Sequence, residues 1–209
     1  PDAQRSMRTY LGAASNLSPE NLNINAFENS EIVYMEGYLW DEPVAKEAYK
    51  KAFAISKELE IKSALSLSDK FCVEKWRDEF RSLTENTDII FGNEEEIMTL
   101  YDTNILSNAI SAASNKLNLC IITRGEKGSI IISSDGVEEI PSFPCENVID
   151  TTGAGDLFAA GFLYGLSINS RLYECAKLGS FCASNVINLF GPRPKKNLLQ
   201  LVKNEGLLV

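Results

Sequence analysis

The chain has 209 residues, 44% of them hydrophobic and 23% charged, which is the balance of an ordinary globular protein. A chain of this length buries about 70% of its extended-chain surface, so global disorder and a fibrous repeat are excluded. The net charge of −9, with no Lys/Arg stripe, excludes a nucleic-acid partner as an expectation, because such affinity rests on neutralised phosphates.

Histidine is absent, which removes Ser-His-Asp and Cys-His nucleophile systems, His-ligated zinc and a histidine pH switch. A proton acceptor must then be a carboxylate, Lys, Tyr or Cys. The five cysteines, Cys72, Cys120, Cys145, Cys175 and Cys182, are odd in number and form no C-x-x-C pair. That usage leads us to expect a reduced, cytoplasmic protein. The longest apolar stretch, residues 157–166, is half a membrane span and contains two glycines, so no membrane partner is expected. No signal-peptide pattern is seen. The sequence opens at Pro1 without an initiator Met, so it is expected to be part of a longer protein.

In chain order, residues 32–38 read as a strand. Residues 43–60 read as a helix with Val44, Ala48, Ala52, Ile55 and Leu59 on one face. A strand over 62–67, a helix over 71–83 and a strand over 88–92 follow. Helical segments over 94–101 and 105–117 lead to a strand over 119–123. Residues 129–134 and 137–143 are β-rich and flank Asp135-Gly136, a hairpin signal. Helices over 155–167 and 172–189 and a short one over 197–204 complete the pattern. Strand–helix alternation over the first two-thirds implies a parallel sheet with helices on both faces, and the hairpin adds antiparallel strands at one edge. Ligands of such sheets sit at the carboxyl ends of the strands.

The chemistry concentrates in Asp150-Thr151-Thr152-Gly153-Ala154-Gly155-Asp156. Small residues let a ligand approach the backbone, and a helix start offers free N–H groups and a favourable dipole to an anion. Asp156, just inside that turn, suits a general base for a hydroxyl attacking a phosphate. The plain alternative is a glycine turn with a carboxylate favouring the helix N-terminus. A dinucleotide fingerprint fails here, since Phe158 occupies the third glycine position, and there is no P-loop.

The segment 150–161 resembles the C-terminal signature of the PfkB, or ribokinase-like, carbohydrate kinases. The resemblance implies an α/β fold: a three-layer α/β/α sandwich with a mostly parallel sheet. It implies a kinase that moves a phosphoryl group from ATP, with Mg²⁺, to a primary hydroxyl of a sugar or nucleoside. By the same resemblance Asp156 is the base, and Gly153, Ala154 and Gly155 form the anion hole. Asn93-Glu94-Glu95-Glu96 is similar to the family's N-x-x-E motif, so Asn93 is assigned to phosphate and Glu96 to Mg²⁺ and its waters; Asn-x-x-Glu is also a capping box. Thr123, Gly125 and Gly128, in Thr123-Arg124-Gly125-Glu126-Lys127-Gly128, resemble a nucleotide-contacting segment, the alternative being a glycine turn between strands. Asn185 falls where the family contacts adenine, unless it is a polar residue on a solvated face. Asp150 and Thr152 match a monovalent-cation site (K⁺) of some members, with carbonyls near Gly191 as further ligands; the alternative is that Asp150 orders the turn. Arg5 matches an arginine that reaches the transferring phosphate, or else is a surface helix arginine.

The resemblance aligns to the later two-thirds of a family member as one kinase domain. The family's earlier part, with its sugar-holding residues and the sheet lid through which members often form a homodimer, is not seen in these residues. The region 34–40 and the opening segment look closer to the adenosine-kinase-like branch. The rival reading is a nucleotide-binding module without catalysis, either a fragment or a degenerate kinase acting as a sensor; an intact Asp156 speaks against it.

Overall fold

The computed structural model describes residues 9–207. Two short 3₁₀ turns, Gly12–Asn16 and Pro19–Asn21, lead into α1 (Ile24–Glu28). Then come β1 (Ile32–Glu36), a 3₁₀ turn over Gly37–Asp41, α2 (Pro43–Glu58), β2 (Lys62–Ser66), α3 (Lys70–Lys75) and α4 (Arg77–Glu85). β3 (Ile89–Asn93), α5 (Glu94–Leu100), α6 (Leu106–Ser114) and β4 (Leu119–Thr123) follow. A 3₁₀ turn at Gly125–Lys127 precedes the hairpin β5 (Ser129–Ser133) and β6 (Gly136–Ile140). α7 (Ala154–Ser167), α8 (Leu172–Val186) and α9 (Leu198–Asn204) come last.

The six strands form one sheet in sequence order. β1 to β4 are parallel, and β5 and β6 continue the sheet as antiparallel edge strands. Met35, Leu65, Ile90 and Cys120 lie in one row across the parallel strands, and Ala64 and Ile89 in the next. All six are buried, which explains why these strands read as unbroken apolar runs rather than alternating ones. Each parallel strand is added on the same side of the last, so right-handed crossovers put α2, α3–α4 and α5–α6 on one face.

The described residues group into two compact units. One is Thr9–Thr123 with Ile130–Glu138; the other is Arg124–Ser129 with the chain from Glu139 onward. The first has a core built on Leu65, Phe80, Ile90, Ile97 and Ile122. In the second, Leu178, Phe181, Cys182 and Val202 pack with Phe143, Leu157 and Leu198. The Phe143 and Phe181 rings meet edge to face, 4.9 Å between centroids. All five cysteines are unpaired. No described helix is long and apolar enough to cross a membrane.

Three departures from the sequence pattern have physical causes. The helix expected over 71–83 is two helices broken at Trp76 (φ −122°, ψ 32°). There the indole N–H donates to Asp41 Oδ1 (2.8 Å) and the Lys46 ammonium lies 3.3 Å from the ring centroid, so tertiary contacts override local helix preference. The strand expected to reach Tyr38 stops at Glu36, because the Gly37 N–H turns to donate to Ser68 Oγ (2.8 Å). On α2 the buried face is Ala45, Ala48, Tyr49, Ala52 and Ile55, whereas Val44 and Leu59 are exposed. Ala48, Ala52 and Ile55 are buried as expected, and Tyr49 widens the face: its hydroxyl donates to the Glu36 carbonyl (2.7 Å) and accepts the Glu36 N–H (3.2 Å).

α7 and α8 approach closely enough to exclude a side chain. A Cβ at Gly161 would lie 2.7 Å from the Leu178 carbonyl oxygen and 2.9 Å from Gly179 Cα. Gly→Ala in a helix interior ordinarily stabilises by about 0.5–1 kcal/mol. Here we expect the opposite sign: Gly161→Ala should lose about 1–3 kcal/mol by overpacking, read as a lowered denaturant midpoint. An unchanged or raised midpoint would show that the helices separate freely.

Candidate active site

α7 starts without a side-chain cap. Its N-cap is Gly153, in the left-handed conformation (φ 81°). The Ala154 N–H donates to the Thr151 carbonyl (3.2 Å), and the first backbone bond back to the cap is the Leu157 N–H to the Gly153 carbonyl (2.9 Å), so the Gly155 and Asp156 amides are the ones ahead of the helical ladder. Gly155 and Asp156 are exposed, and a Cβ at Gly155 would meet nothing within 4 Å. The turn therefore presents open N–H donors at the positive end of a 14-residue helix, with one carboxylate in its first turn.

Asp150 holds this turn. Its Oδ1 accepts the Thr152 N–H (2.9 Å) and the Thr152 hydroxyl (2.5 Å), and its Oδ2 accepts the Gly191 N–H (2.9 Å). The Ile149 and Asp150 N–H groups both donate to the Ile187 carbonyl at the end of α8. Pro192 packs on Gly153 so tightly that a Cβ there would lie 2.7 Å from the proline Cβ. Position 153 thus demands glycine twice, by φ and by space. Asn185, on α8 and half-buried, donates its side-chain amide to the Phe181 carbonyl of its own helix (2.9 Å).

In the same unit, Gly125 and Gly128 bound a tight turn in which the Arg124 N–H donates to the Gly128 carbonyl (2.8 Å). Gly128 is needed for close approach, because a Cβ would lie 2.0 Å from the Ile140 carbonyl oxygen. Gly125 faces open space.

The other unit carries Thr123 at the end of β4, with its hydroxyl 3.5 Å from the Gly92 carbonyl, and the Asn93–Glu96 pair. Asn93 and Glu96 form a complete capping box. The Glu96 N–H donates to Asn93 Oδ1 (2.9 Å), the Asn93 N–H to Glu96 Oε2 (2.9 Å), and the Asn93 side-chain amide to Glu96 Oε1 (2.8 Å). Glu96 is buried, and burial pushes its carboxyl up to about 7; the Asn93 N–H pulls the other way, while the charges of Asp69 and Glu95 push up further. Among the described residues, no three His, Cys, Asp or Glu side chains are grouped to hold a metal. A Mg²⁺ ion fits such a donor set through waters and substrate phosphates, its usual ligands beside one or two carboxylates. Arg5 lies outside the described residues.

Two contributors were not singled out from the sequence. Pro192, which abuts the anion turn, follows Gly191 in a Gly-Pro pair, a turn signal of ordinary strength. Asp69 caps α3 by accepting the Phe71 N–H (2.6 Å) and adds its charge to the Glu96 environment. A Ser-Asp pair ahead of an apolar run is an N-cap signature that could have marked it.

The family model for the pfkB family carbohydrate kinases matches residues 1–197, and the chain belongs to that family. Among solved structures, adenosine kinase from Sinorhizobium meliloti is 39% identical with a TM-score of 0.95 over 98% of this chain and 63% of its own. A probable sugar kinase from Rhizobium etli is 38% identical with a TM-score of 0.96 over 99% of this chain and 63% of its own. Adenosine kinase of Schizosaccharomyces pombe is 28% identical over 92% of this chain and 62% of its own length. The chain thus spans less than two thirds of the length of each of these relatives.

The raised Glu96 value has a consequence for stability. The folded state holds this proton more tightly than the unfolded chain, so the contribution is full below about 4.5, the ordinary value, and is lost as pH rises through about 7. Glu96→Gln keeps a neutral partner for Asn93. The melting temperature of the variant relative to wild type should therefore rise between pH 5 and pH 8. A difference independent of pH would show that Glu96 is not shifted.

Proposed function

We propose that this protein transfers the γ-phosphoryl group of ATP to a primary hydroxyl of a sugar or ribonucleoside, with a ribonucleoside as the favoured acceptor. The observation that carries this reading is the start of α7, where open backbone donors and an exposed carboxylate share one helical turn. Family membership supports the reaction class. The likeness to two adenosine kinases supports a nucleoside acceptor.

Phosphoryl transfer needs little covalent chemistry from the protein; it needs positioning and charge stabilisation. Asp156 takes the proton of the acceptor hydroxyl as its oxygen bonds to the γ-phosphorus and the bond to the departing ADP oxygen breaks. The amides of Gly153, Ala154 and Gly155 offset negative charge on the transferring group. Thr123, Gly125 and Gly128 contact the nucleotide's ribose and phosphates, and Asn185 the adenine region. The resemblance assigns Arg5 to the transferring phosphate. Asn93 and Glu96 would hold the waters of Mg²⁺, and a bound Mg²⁺ would neutralise charge on the phosphate oxygens. The buried capping box gives Glu96 a fixed orientation for that task. Five unpaired cysteines agree with a cytoplasmic setting.

Asp156→Asn keeps the side-chain shape and removes the basic lone pair. Loss of a general base costs roughly 10²–10⁴-fold. We expect kcat to fall by that order in a coupled ADP-release assay, with ATP affinity by calorimetry nearly unchanged. A variant that keeps most of its kcat would remove Asp156 from the role of base.

A further inference from the structure

We propose that Asp150 is a positioning clamp that sets the anion turn without a monovalent cation. This rests on the kinase reading of that turn and deepens it. A carboxylate offers about four lone-pair positions. Three of those on Asp150 are filled by N–H and O–H donors: the Thr152 N–H, the Thr152 hydroxyl and the Gly191 N–H. A cation needs those lone pairs for itself. Gly191 gives its N–H to the carboxylate, so the donor set is that of a hydrogen-bonded staple.

The staple joins two segments far apart in sequence. Thr152 precedes Gly153, the cap of α7, and Gly191 precedes Pro192, which packs on Gly153. The Ile187 carbonyl, accepting from Ile149 and Asp150, closes the same junction from the α8 side. One carboxylate thereby fixes both the backbone that carries the open amides and the proline that limits where Gly153 can move. Such donors stabilise a transition state only when held in place beforehand.

The test uses the intact protein, with Thr152→Ser, Thr152→Val and Asp150→Asn. Thr152→Ser keeps every bond and should keep the hydrogen-exchange protection of the Thr152 and Gly191 amides. Thr152→Val removes one bond, and Asp150→Asn turns an amide donor toward a donor. In Asp150→Asn the Thr152 and Gly191 amides should lose hydrogen-exchange protection. Its kcat should fall roughly 10- to 100-fold with the KM for ATP little changed, a split that a purely structural loss of active molecules would not give once active sites are counted by tight-binding titration. Thr152→Val should fall between. Replacing potassium chloride by choline chloride should leave wild-type rate and melting temperature unchanged. Potassium-dependent acceleration or stabilisation of wild type, retained protection in Asp150→Asn, or lost protection with unaltered kcat would each overturn the clamp. A wild type that forms no ADP with any acceptor overturns the kinase reading instead, while the exchange measurement still decides the clamp.

Discussion

The first turn of α7 leaves backbone N–H groups without acceptors, and the surrounding chain is arranged around that fact. α1, α3, α5 and α9 each use an Asn or Asp side chain to fill the first turn. α7, like α2, α4, α6 and α8, lacks a side-chain cap; its cap is glycine, the Ala154 N–H donates to the Thr151 carbonyl (3.2 Å), and Gly155 and Asp156 are exposed. Open donors at a helix start are stable in water but gain most from an anion. The close α7–α8 contact at Gly161 holds the helix, and the Asp150 carboxylate holds the strand of chain leading into it. Packing and hydrogen bonding thus serve one end of one helix.

The two carboxylates at the centre of the functional reading are placed in opposite surroundings. Asp156 is exposed. Glu96 is buried, with both oxygens engaged by Asn93, and burial pushes its proton affinity up. Environment, more than residue type, separates these two carboxylates. Binding a cation would favour the charged form of Glu96 and oppose the cost of its burial.

Much of this was legible in the sequence because it depends on local chemistry. The strand over 119–123 coincides with β4, and the Asp135-Gly136 hairpin lies where the dipeptide placed it. The glycines of 150–156 announce a turn before a helix, and α7 starts there on a left-handed Gly153. What escaped depends on distant partners. Nothing local says that Trp76 breaks a helix, because the cause is Asp41 and Lys46. Nothing local says that Tyr49 joins the buried face of α2 in place of Val44 and Leu59; its bond to Glu36 does. At Asp150 the sequence left a cation ligand and a turn-ordering residue both open. The choice turns on the Gly191 N–H, 41 positions away in the chain. Asn93 and Glu96 were readable as a cap and as a metal pair, and the capping box is present in full.

The central claim is that a phosphoryl group ends on an acceptor hydroxyl. ³¹P NMR of the intact protein with ATP, Mg²⁺ and a panel of adenosine, cytidine, ribose and fructose tests it directly. The account predicts a phosphomonoester resonance growing in step with ADP, coupled to the protons of a primary carbon, and fastest with a nucleoside. Inorganic phosphate as the sole product, or no loss of ATP with any acceptor, would contradict it.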